Sequence, residues 1–304
     1  MIHHEETFNG TWPYKARFTR TSGFKQHYVD EGPENGEVLL CLHGEPTWGY
    51  LYRHMIPNLS KSFRVIVPDH MGFGKSETPT DREYTLRSHV ENLVDLSNAL
   101  KLNNITFLAQ DWGGPIAGAY ALRHPERVKR FCLMNTVLGY GGSPPIKTRS
   151  LWFEWIAKHE KNNTLKGILG ELGATVLSVM KTLGFENSCA VDQNWINAYS
   201  SPFPDRDSCL GAIEFPLDLH YGRCKEYIVE GLKLGNLEKI KAKPAILLEG
   251  LQDKAIHPEN AIADFKALWP NGIIKAFENA GHFCQEDVPN DLVSFVQKFI
   301  DSNP

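Results

Sequence analysis

The feature that most constrains this chain is the stretch Ala109-Gln110-Asp111-Trp112-Gly113-Gly114, which lies between an apolar run and a helical pattern. The run Ile105-Thr106-Phe107-Leu108 is typical of a buried parallel strand, and the helical pattern begins near Pro115. Small residues at 109, 113 and 114 permit a tight turn from strand to helix, because larger side chains would crowd the backbone. Such a turn would raise the Asp111 side chain at the carboxyl end of a sheet.

The raised side chain is a carboxylate rather than a hydroxyl. Turns of this kind follow the pattern G-x-S-x-G in α/β-hydrolases, whereas this chain has Asp111 at the serine position and Ala109 at the first glycine. A carboxylate needs no deprotonation near neutral pH, and its attack on a saturated carbon would give an alkyl ester. The simpler interpretation is an N-capping aspartate followed by a Gly-Gly turn. The full pattern favours the nucleophile.

Strand and helix patterns alternate along most of the chain. Near-continuous apolar strands are buried on both faces, so the alternation predicts a mostly parallel sheet flanked by helices. Two earlier segments alternate polar and apolar residues and predict an antiparallel hairpin that brings the sheet to eight strands. The predicted strands are 15–20, 25–30, 37–42, 64–67, 105–108, 128–134, 245–248 and 272–277, and the predicted helices are 49–60, 84–100, 115–123, 259–268 and about 290–300.

This alternation stops between residues 139 and 230. The stretch opens with glycines and prolines, then becomes helical and irregular, and it is too long for a simple crossover. We expect a helical cap domain of residues 139–230, inserted into a core domain of residues 1–138 and 231–304. Ligands of open α/β sheets bind at the carboxyl end, where a cap would exclude water. The alternative is an elaboration at the sheet edge, far from the chemistry.

Three further polar segments follow predicted strands and converge on Asp111. His43-Gly44-Glu45 could present the backbone N–H of Glu45, which with that of Trp112 would form an oxyanion hole. Asp253 follows the seventh strand and His282 follows the eighth, in the order nucleophile, acid, histidine that α/β-hydrolases use. His282 would act as general base and Asp253 would orient it. A Gly-His pair in an ordinary turn is the simpler alternative.

Composition excludes several other classes of protein. The 304 residues carry a net charge of −4 without a basic stripe, so we expect no nucleic-acid partner. No apolar run is long enough to span a bilayer, and the N-terminus lacks the order of a signal peptide. Six cysteines without C-x-x-C spacing indicate reduced thiols and a cytoplasmic location. His3-His4 has no third ligand nearby, so we expect a solvated terminus and no metal site.

Three motifs together resemble those of the haloalkane dehalogenases. They are His43-Gly44-Glu45-Pro46-Thr47-Trp48, Gln110-Asp111-Trp112-Gly113-Gly114 and Gly281-His282-Phe283-Cys284-Gln285-Glu286, and the resemblance extends over nearly the whole chain. It implies an enzyme with the α/β-hydrolase fold that converts a haloalkane and water to a primary alcohol, a halide ion and a proton. Asp111 would attack the halogen-bearing carbon, and water activated by His282 would hydrolyse the ester. The resemblance implies no metal and no organic cofactor.

The resemblance also implies two donors to the leaving halide, of which the Trp112 side chain is the first. One subgroup of the family has an asparagine as second donor after the His-Gly pair. Here that residue is Glu45, which cannot donate when ionised. A second subgroup has glutamate there and takes its second donor from a cap tryptophan. The acid position agrees with the second subgroup, because Asp253 is present while Asn135, after the sixth strand, is not acidic.

The candidate for the cap tryptophan is Trp152, in Ser150-Leu151-Trp152-Phe153-Glu154-Trp155. Trp155 lies one helical turn away and is the alternative. Core packing is the commoner role of tryptophan and is the simpler interpretation of either residue.

Other functions remain open at this point. An epoxide hydrolase shares the fold and the aspartate nucleophile but usually has histidine where this chain has Gln110; its two cap tyrosines could come from Tyr140, Tyr199 and Tyr221. Trp112 argues against a fluoroacetate dehalogenase, for which arginine is expected, and Asp111 argues against a serine esterase. A non-catalytic ligand-binding protein could use the same scaffold. Substrate length, halogen preference and oligomeric state are not readable from the sequence, which is compatible with a monomer.

Overall fold

The computed structural model describes residues 2–140 and 150–304. Its strands are β1 Arg17–Thr19, β2 Gln26–Glu31, β3 Val38–Leu42, β4 Arg64–Pro68, β5 Ile105–Gln110, β6 Val128–Met134, β7 Ala245–Gly250 and β8 Ile273–Phe277. They form one eight-stranded sheet in the order β1-β2-β4-β3-β5-β6-β7-β8. The two pairs β1–β2 and β2–β4 are antiparallel, and every other neighbouring pair is parallel. The predicted α/β-hydrolase architecture and its antiparallel hairpin are confirmed.

The register brings the ends of successive strands to one edge of the sheet. Leu42 of β3 pairs with Ala109 of β5, and Gln110 pairs with Met134 of β6. Gly250 of β7 likewise pairs with Phe277 of β8. The segments that follow these strands therefore start side by side, because parallel neighbours end at the same edge.

Helices cover the sheet and link its strands. Their bounds are α1 Ile56–Leu59, α2 Leu86–Ala99, α3 Gly113–Arg123, α4 Leu151–Lys161, α5 Leu165–Leu169, α6 Leu172–Leu183, α7 Gln193–Ser200, α8 Leu210–His220, α9 Arg223–Leu232, α10 Leu237–Lys241, α11 Pro258–Leu268, α12 Cys284–Asp287 and α13 Pro289–Asp301. The single helix predicted over 49–60 is wrong: a 3-10 turn at Gly49–Tyr52 precedes the short α1. Pro57 lacks an N–H and is best tolerated in the first turn of a helix, which agrees with the start of α1 just before it.

One hydrophobic core joins the sheet to the surrounding helices. β3, β5 and β7 are buried along their whole length, as expected for strands covered on both faces. Helices α2, α3 and α9 pack against one another, while α11 packs against β7 and α1 against both β4 and α13. Cys41 and Cys132 are buried in this core.

Helices α4 to α8 lie within the segment that interrupts the alternation. α4 and α5 pack against α8, and α6 packs against α7. The glycines and prolines at 141–145, which open the predicted cap, lie outside the described residues. Helix α9 crosses the predicted boundary at residue 230 and packs against α2 and α3. The division into a core and a cap remains a prediction. None of the helices in the described ranges is long and apolar enough to cross a membrane.

Candidate active site

The turn after β5 holds Asp111 in a left-handed backbone conformation. The φ angle of Asp111 is 49°, a conformation that costs free energy for residues other than glycine and is found at functional turns. The Oγ1 of Thr136 donates to the Asp111 carbonyl oxygen at 2.5 Å, which helps to hold the turn. Helix α3 begins two residues later, at Gly113, so the Asp111 side chain stands at a helix N-terminus as predicted.

Glycine is required where β3 meets this turn. A Cβ on Gly44 would lie 2.0 Å from Asp111 Oδ1, and a Cβ on Gly113 would lie 2.3 Å from the carbonyl oxygen of Leu42. The missing side chains let the two backbones approach closely. As a result the backbone N–H of Glu45 donates to Asp111 Oδ1 at 2.8 Å. This contact is the one expected of an oxyanion-hole donor.

The structure brings Asp111, His282 and Asp253 together. His282 Nδ1 donates to Asp253 Oδ2 at 2.9 Å, and His282 Nε2 lies 3.3 Å from Asp111 Oδ2. The Nε2 contact has ion-pair distance but not the alignment of a hydrogen bond. The His282 and Asp253 side chains are fully buried, whereas that of Asp111 keeps 15% of its surface exposed. Asp111 is thus the member of the three that a small molecule can reach.

Asp253 is held by four hydrogen bonds. Its Oδ1 accepts the backbone N–H groups of Ala255 at 2.7 Å and Ile256 at 2.9 Å. Its Oδ2 accepts the Nδ2 of Asn135 at 2.9 Å in addition to His282. These four donors fix the position and orientation of the Asp253 carboxyl group.

These carboxylates determine the charge on His282. Burial by itself would lower the pKa of the imidazole, but the neighbouring charges of Asp253 and Asp111 raise the pKa to about 10. The resting site therefore holds an imidazolium between two carboxylates at neutral pH.

Glu45 is buried near Asp111 and His282, and its carboxyl group also has a shifted pKa. Burial and then the charge of Asp111 raise the pKa of the Glu45 carboxyl well above its ordinary value. Its Oε1 has no hydrogen-bond partner among the described residues. Because a neutral carboxyl has an O–H, Glu45 can donate a hydrogen bond here, which the sequence analysis denied to its ionised form.

The two tryptophans predicted to bind halide lie on different elements of the structure, Trp112 just before α3 and Trp152 in α4. Trp112 stacks on Phe215 of α8, with ring centroids 4.7 Å apart and planes inclined by 13°. Trp152 of α4 is buried and stacks on Trp155, with centroids 5.2 Å apart and planes inclined by 9°. Trp155 is half-buried and also contacts His159. Trp112 therefore contacts α8 directly, and α4, which carries Trp152, packs against the same helix.

The end of α6 contacts the loops that carry the acid and the histidine. The backbone N–H of Lys254 donates to the Leu183 carbonyl at 2.9 Å, and that of Phe283 donates to the Gly184 carbonyl at 3.3 Å. Lys254 and Phe283 are the neighbours of Asp253 and His282 in the chain. The inserted helices are thereby tied to the site by its own loops.

Glu286, four residues after His282, forms a second connection. It accepts both terminal nitrogens of Arg53, at 2.5 and 2.8 Å. It also accepts the indole N–H of Trp195 at 3.2 Å and the hydroxyl of Tyr199 at 2.5 Å, both from α7. This buried carboxylate joins α7 to the core.

Sequence reasoning gave no role to several polar residues that complete the site. Gln110 Nε2 donates to the carbonyl oxygen of His282 at 3.1 Å, so the residue before the nucleophile holds the histidine loop. Asn135 and Thr136, described above, were also left without a role. Gln110 ends β5, and Asn135 and Thr136 follow β6. Their position at the end of a buried strand was the sequence signal that could have identified them as site residues.

Comparisons with known proteins agree with this geometry. A family model of the alpha/beta hydrolase fold matches residues 37–289. A haloalkane dehalogenase of Psychrobacter cryohalolentis is 33% identical over 287 residues, which cover 93% of this chain and 89% of that protein. The solved tetrameric haloalkane dehalogenase of Paraglaciecola agarilytica NO2 has a TM-score of 0.78 and 29% identity, covering 96% of this chain and 95% of that one.

The chain belongs to the haloalkane dehalogenase family. A further relative, from Xanthomonas campestris pv. campestris, is a cis-3-alkyl-4-alkyloxetan-2-one decarboxylase. It is 32% identical over 301 residues, which cover 93% of this chain and 94% of the relative.

The three tyrosines considered for an epoxide hydrolase point elsewhere in this member of the dehalogenase family. The hydroxyl of Tyr140 donates to the Gly118 carbonyl at 3.2 Å, and that of Tyr199 donates to Glu286. Tyr221 is exposed and donates to Glu160. All three hydroxyls are used in other contacts, which argues against their activating an epoxide oxygen.

Within the described ranges, one cluster has side chains close enough to share a metal ion. It consists of His3, His4 and Glu5, all of them exposed and near the start of the chain. The premise that His3-His4 has no third ligand nearby is therefore wrong, because Glu5 lies within reach of both. All three side chains are exposed, and a solvated terminus without a metal site remains a prediction.

The charge on His282 can be tested directly. Asp253→Asn removes one of the two charges that raise the imidazole pKa, so we expect that pKa to fall by at least about one unit. NMR titration of the histidine resonances would measure it, with His282→Gln providing the assignment. Asp192→Asn is the matched control, because Asp192 caps α7 and does not contact His282. An unchanged pKa in Asp253→Asn would contradict the assignment of Asp253.

Proposed function

We propose that this protein hydrolyses haloalkanes to a primary alcohol, a halide ion and a proton. The observation that carries the proposal is a carboxylate at the nucleophile turn, Asp111, with a backbone donor on one oxygen and an imidazole near the other. In the first step Asp111 attacks the halogen-bearing carbon, the carbon–halogen bond breaks, and the halide leaves with the bonding electrons. The product of this step is an ester between Asp111 and the alkyl group.

His282 acts in the second step. Esterification removes the charge of Asp111, one of the two charges that raise the pKa of His282. The imidazolium then loses its proton more readily and becomes a general base for a water molecule that attacks the ester carbon. The backbone N–H groups of Glu45 and Trp112 stabilise the oxyanion. Asp253 stabilises the imidazolium that forms. Alcohol leaves, Asp111 returns as a carboxylate, and the proton passes to solvent.

The indole N–H groups of Trp112 and Trp152 form the halide site in this proposal. Negative charge grows on the halogen as the carbon–halogen bond breaks, so each donor stabilises the transition state more than the substrate complex. Helices α4 to α8 act as a cap that keeps bulk water from the site, and the contacts of α6 and α7 with the catalytic loops support this. Steps carried out by these side chains need no metal or organic cofactor.

Separating the two steps tests the covalent mechanism. His282→Ala should release about one halide ion per enzyme from 1-bromobutane and then stall, because Asp111 needs no base for its attack. Mass spectrometry should find the butyl adduct on Asp111, and Asp111→Ala should release no halide. A single turnover of the wild-type protein in heavy-oxygen water should label the Asp111 carboxylate. Steady turnover by His282→Ala, or label found only in the alcohol, would disprove the ester mechanism.

The halide site is tested by a pair of cap variants. Trp152→Phe should raise the barrier of halide release by roughly 2–4 kcal/mol, by analogy with the loss of an oxyanion-hole donor. It should also weaken the quenching of tryptophan fluorescence by bromide. Trp155→Phe is the matched control, with the same change one helical turn away, and should affect mainly packing. The opposite pattern would move the second donor to Trp155; if neither variant matters, the cap tryptophan is not the donor.

A second candidate function is supported by the relative from Xanthomonas campestris pv. campestris. That relative is a decarboxylase of cis-3-alkyl-4-alkyloxetan-2-ones, from which it removes CO₂. Asp111 could open the strained ring at C4, which releases the ring carboxylate. Loss of CO₂ would then form the C3–C4 double bond and expel Asp111 as a carboxylate. No water is consumed, so this reaction needs no general base.

A substrate panel distinguishes the candidates. We expect bromide release from 1-bromobutane and 1,2-dibromoethane, and no diol from an aryl epoxide. A cis-3,4-dialkyl oxetan-2-one should give no alkene. If the lactone gives alkene and CO₂ and neither bromoalkane releases bromide, the activity is decarboxylation and the dehalogenation proposal is rejected.

A further inference from the structure

Glu249 is a fully buried carboxyl group that the proposed mechanism does not use. It is the penultimate residue of β7, four residues before Asp253, and its side chain is inaccessible to solvent. Its Oε2 has no hydrogen-bond donor in the described part of the chain. Its Oε1 has one distant donor, Asn135 Nδ2, at 3.4 Å. An ionised carboxylate with so few donors would be costly to bury.

The donor of Glu249 is shared with the catalytic acid. Asn135 Nδ2 lies 2.9 Å from Asp253 Oδ2 and 3.1 Å from the Gly250 carbonyl, both closer than Glu249. Asn135 Oδ1 accepts the Gly250 N–H at 2.9 Å, which fixes the orientation of the amide. Two carboxyl groups therefore compete for one amide. Asp253 has four donors and Glu249 has one, so the negative charge belongs on Asp253.

We propose that Glu249 is a positioning residue that keeps its proton, so that Asp253 alone carries the negative charge behind His282. This inference rests on the proposed function for its catalytic meaning, since it concerns the base of the second step. A second anion in this place would hold the proton on His282 more tightly and delay its action as a base. The neutral carboxyl avoids that charge while its Oε1 accepts from Asn135.

His282 is the cation that acts on Glu249, and its charge opposes the rise of the Glu249 pKa less strongly than burial and Asp253 promote it. The titratable groups that interact with it are Asp253 after β7, His282 after β8 and Cys284 of α12. Burial and then the charge of Asp253 raise the pKa of Glu249 well above its ordinary value. Burial also raises the pKa of the Cys284 thiol, which stays neutral.

Proton linkage tests the charge of Glu249 without any substrate. The folded protein would keep the proton above pH 4.5 while the unfolded chain loses it, so this group makes stability fall as pH rises. The glutamine side chain of Glu249→Gln is neutral at every pH, so this variant lacks the fall in stability that Glu249 causes as pH rises. The unfolding equilibrium constant of the wild type, divided by that of Glu249→Gln, should rise about tenfold per pH unit from about pH 5.5 up to the pH at which the folded protein releases this proton. Contributions of titratable groups that do not interact with Glu249 cancel in this ratio.

Glu286→Gln is the matched control, a second glutamate-to-glutamine change at a buried site. Burial by itself would raise the pKa of Glu286, but the Arg53 guanidinium holds it below its ordinary value. Glu286 is therefore ionised in the folded and the unfolded protein across this range. The unfolding equilibrium constant of the wild type, divided by that of Glu286→Gln, should not change with pH. Glu249→Met, also neutral at every pH, repeats the test if Glu249→Gln folds poorly. A ratio that is flat with pH for both Glu249 variants overturns the proposal.

The effect on His282 is read by NMR titration of its imidazole. An ionised Glu249 would favour the imidazolium, so replacing it by glutamine would lower the pH at which His282 titrates; replacing a neutral Glu249 should leave that pH unchanged. A His282 inflection that moves to lower pH in Glu249→Gln overturns the proposal, and an unchanged inflection supports it. Neither measurement uses a haloalkane. Failure of the bromoalkane panel would therefore reject the proposed activity while these two results still decide the state of Glu249.

Discussion

The rest of the structure depends on the close approach of two backbones, the end of β3 and the turn after β5. Gly44 and Gly113 carry no side chain where a Cβ would overlap Asp111 and the Leu42 carbonyl. This approach lets Asp111 adopt a positive φ and places the Glu45 N–H against its carboxylate. The parallel register of β3 with β5 is what makes the two segments neighbours. A nucleophile held in this way needs little reorganisation to react, which is the physical basis of preorganised catalysis.

Several carboxyl groups surround one imidazole, and their partners decide which are ionised. Asp253 has four hydrogen-bond donors and Glu286 is paired with Arg53, so both hold a charge in the interior. Glu45 and Glu249 are equally buried but lack such partners, and their pKa values rise. The net result is a small number of charges facing His282. Loss of one of them on esterification changes the proton affinity of the base, and this links the two proposed chemical steps.

Most of the fold was readable from the sequence because apolar runs and turn residues are local signals. The strand runs near Ile105 and Val128 were located to within a few residues, and Asp111, Asp253 and His282 were assigned to strand ends that the structure brings together. The helix expected over 49–60 failed because an apolar pattern does not register the break that Pro57 imposes. The assignment of Trp152 to a halide site remains a prediction, since the packing of α4 on α8 does not itself define a ligand.

The sequence by itself determined the chemical type of the nucleophile, the alternation of strands and helices, and the order in which the reactive residues occur. Those properties follow from residue identity and spacing along one chain. Only the tertiary structure decided which polar groups share partners, because Asn135 reaches Asp253 and Glu249 across two neighbouring strands. It also decided protonation, because the charge of a carboxyl depends on burial and nearby donors rather than on its position in the sequence. Glu45 shows the difference: its sequence position predicts an ordinary acid, whereas burial and the nearby charge of Asp111 raise the pKa of its carboxyl well above the ordinary value in the folded protein.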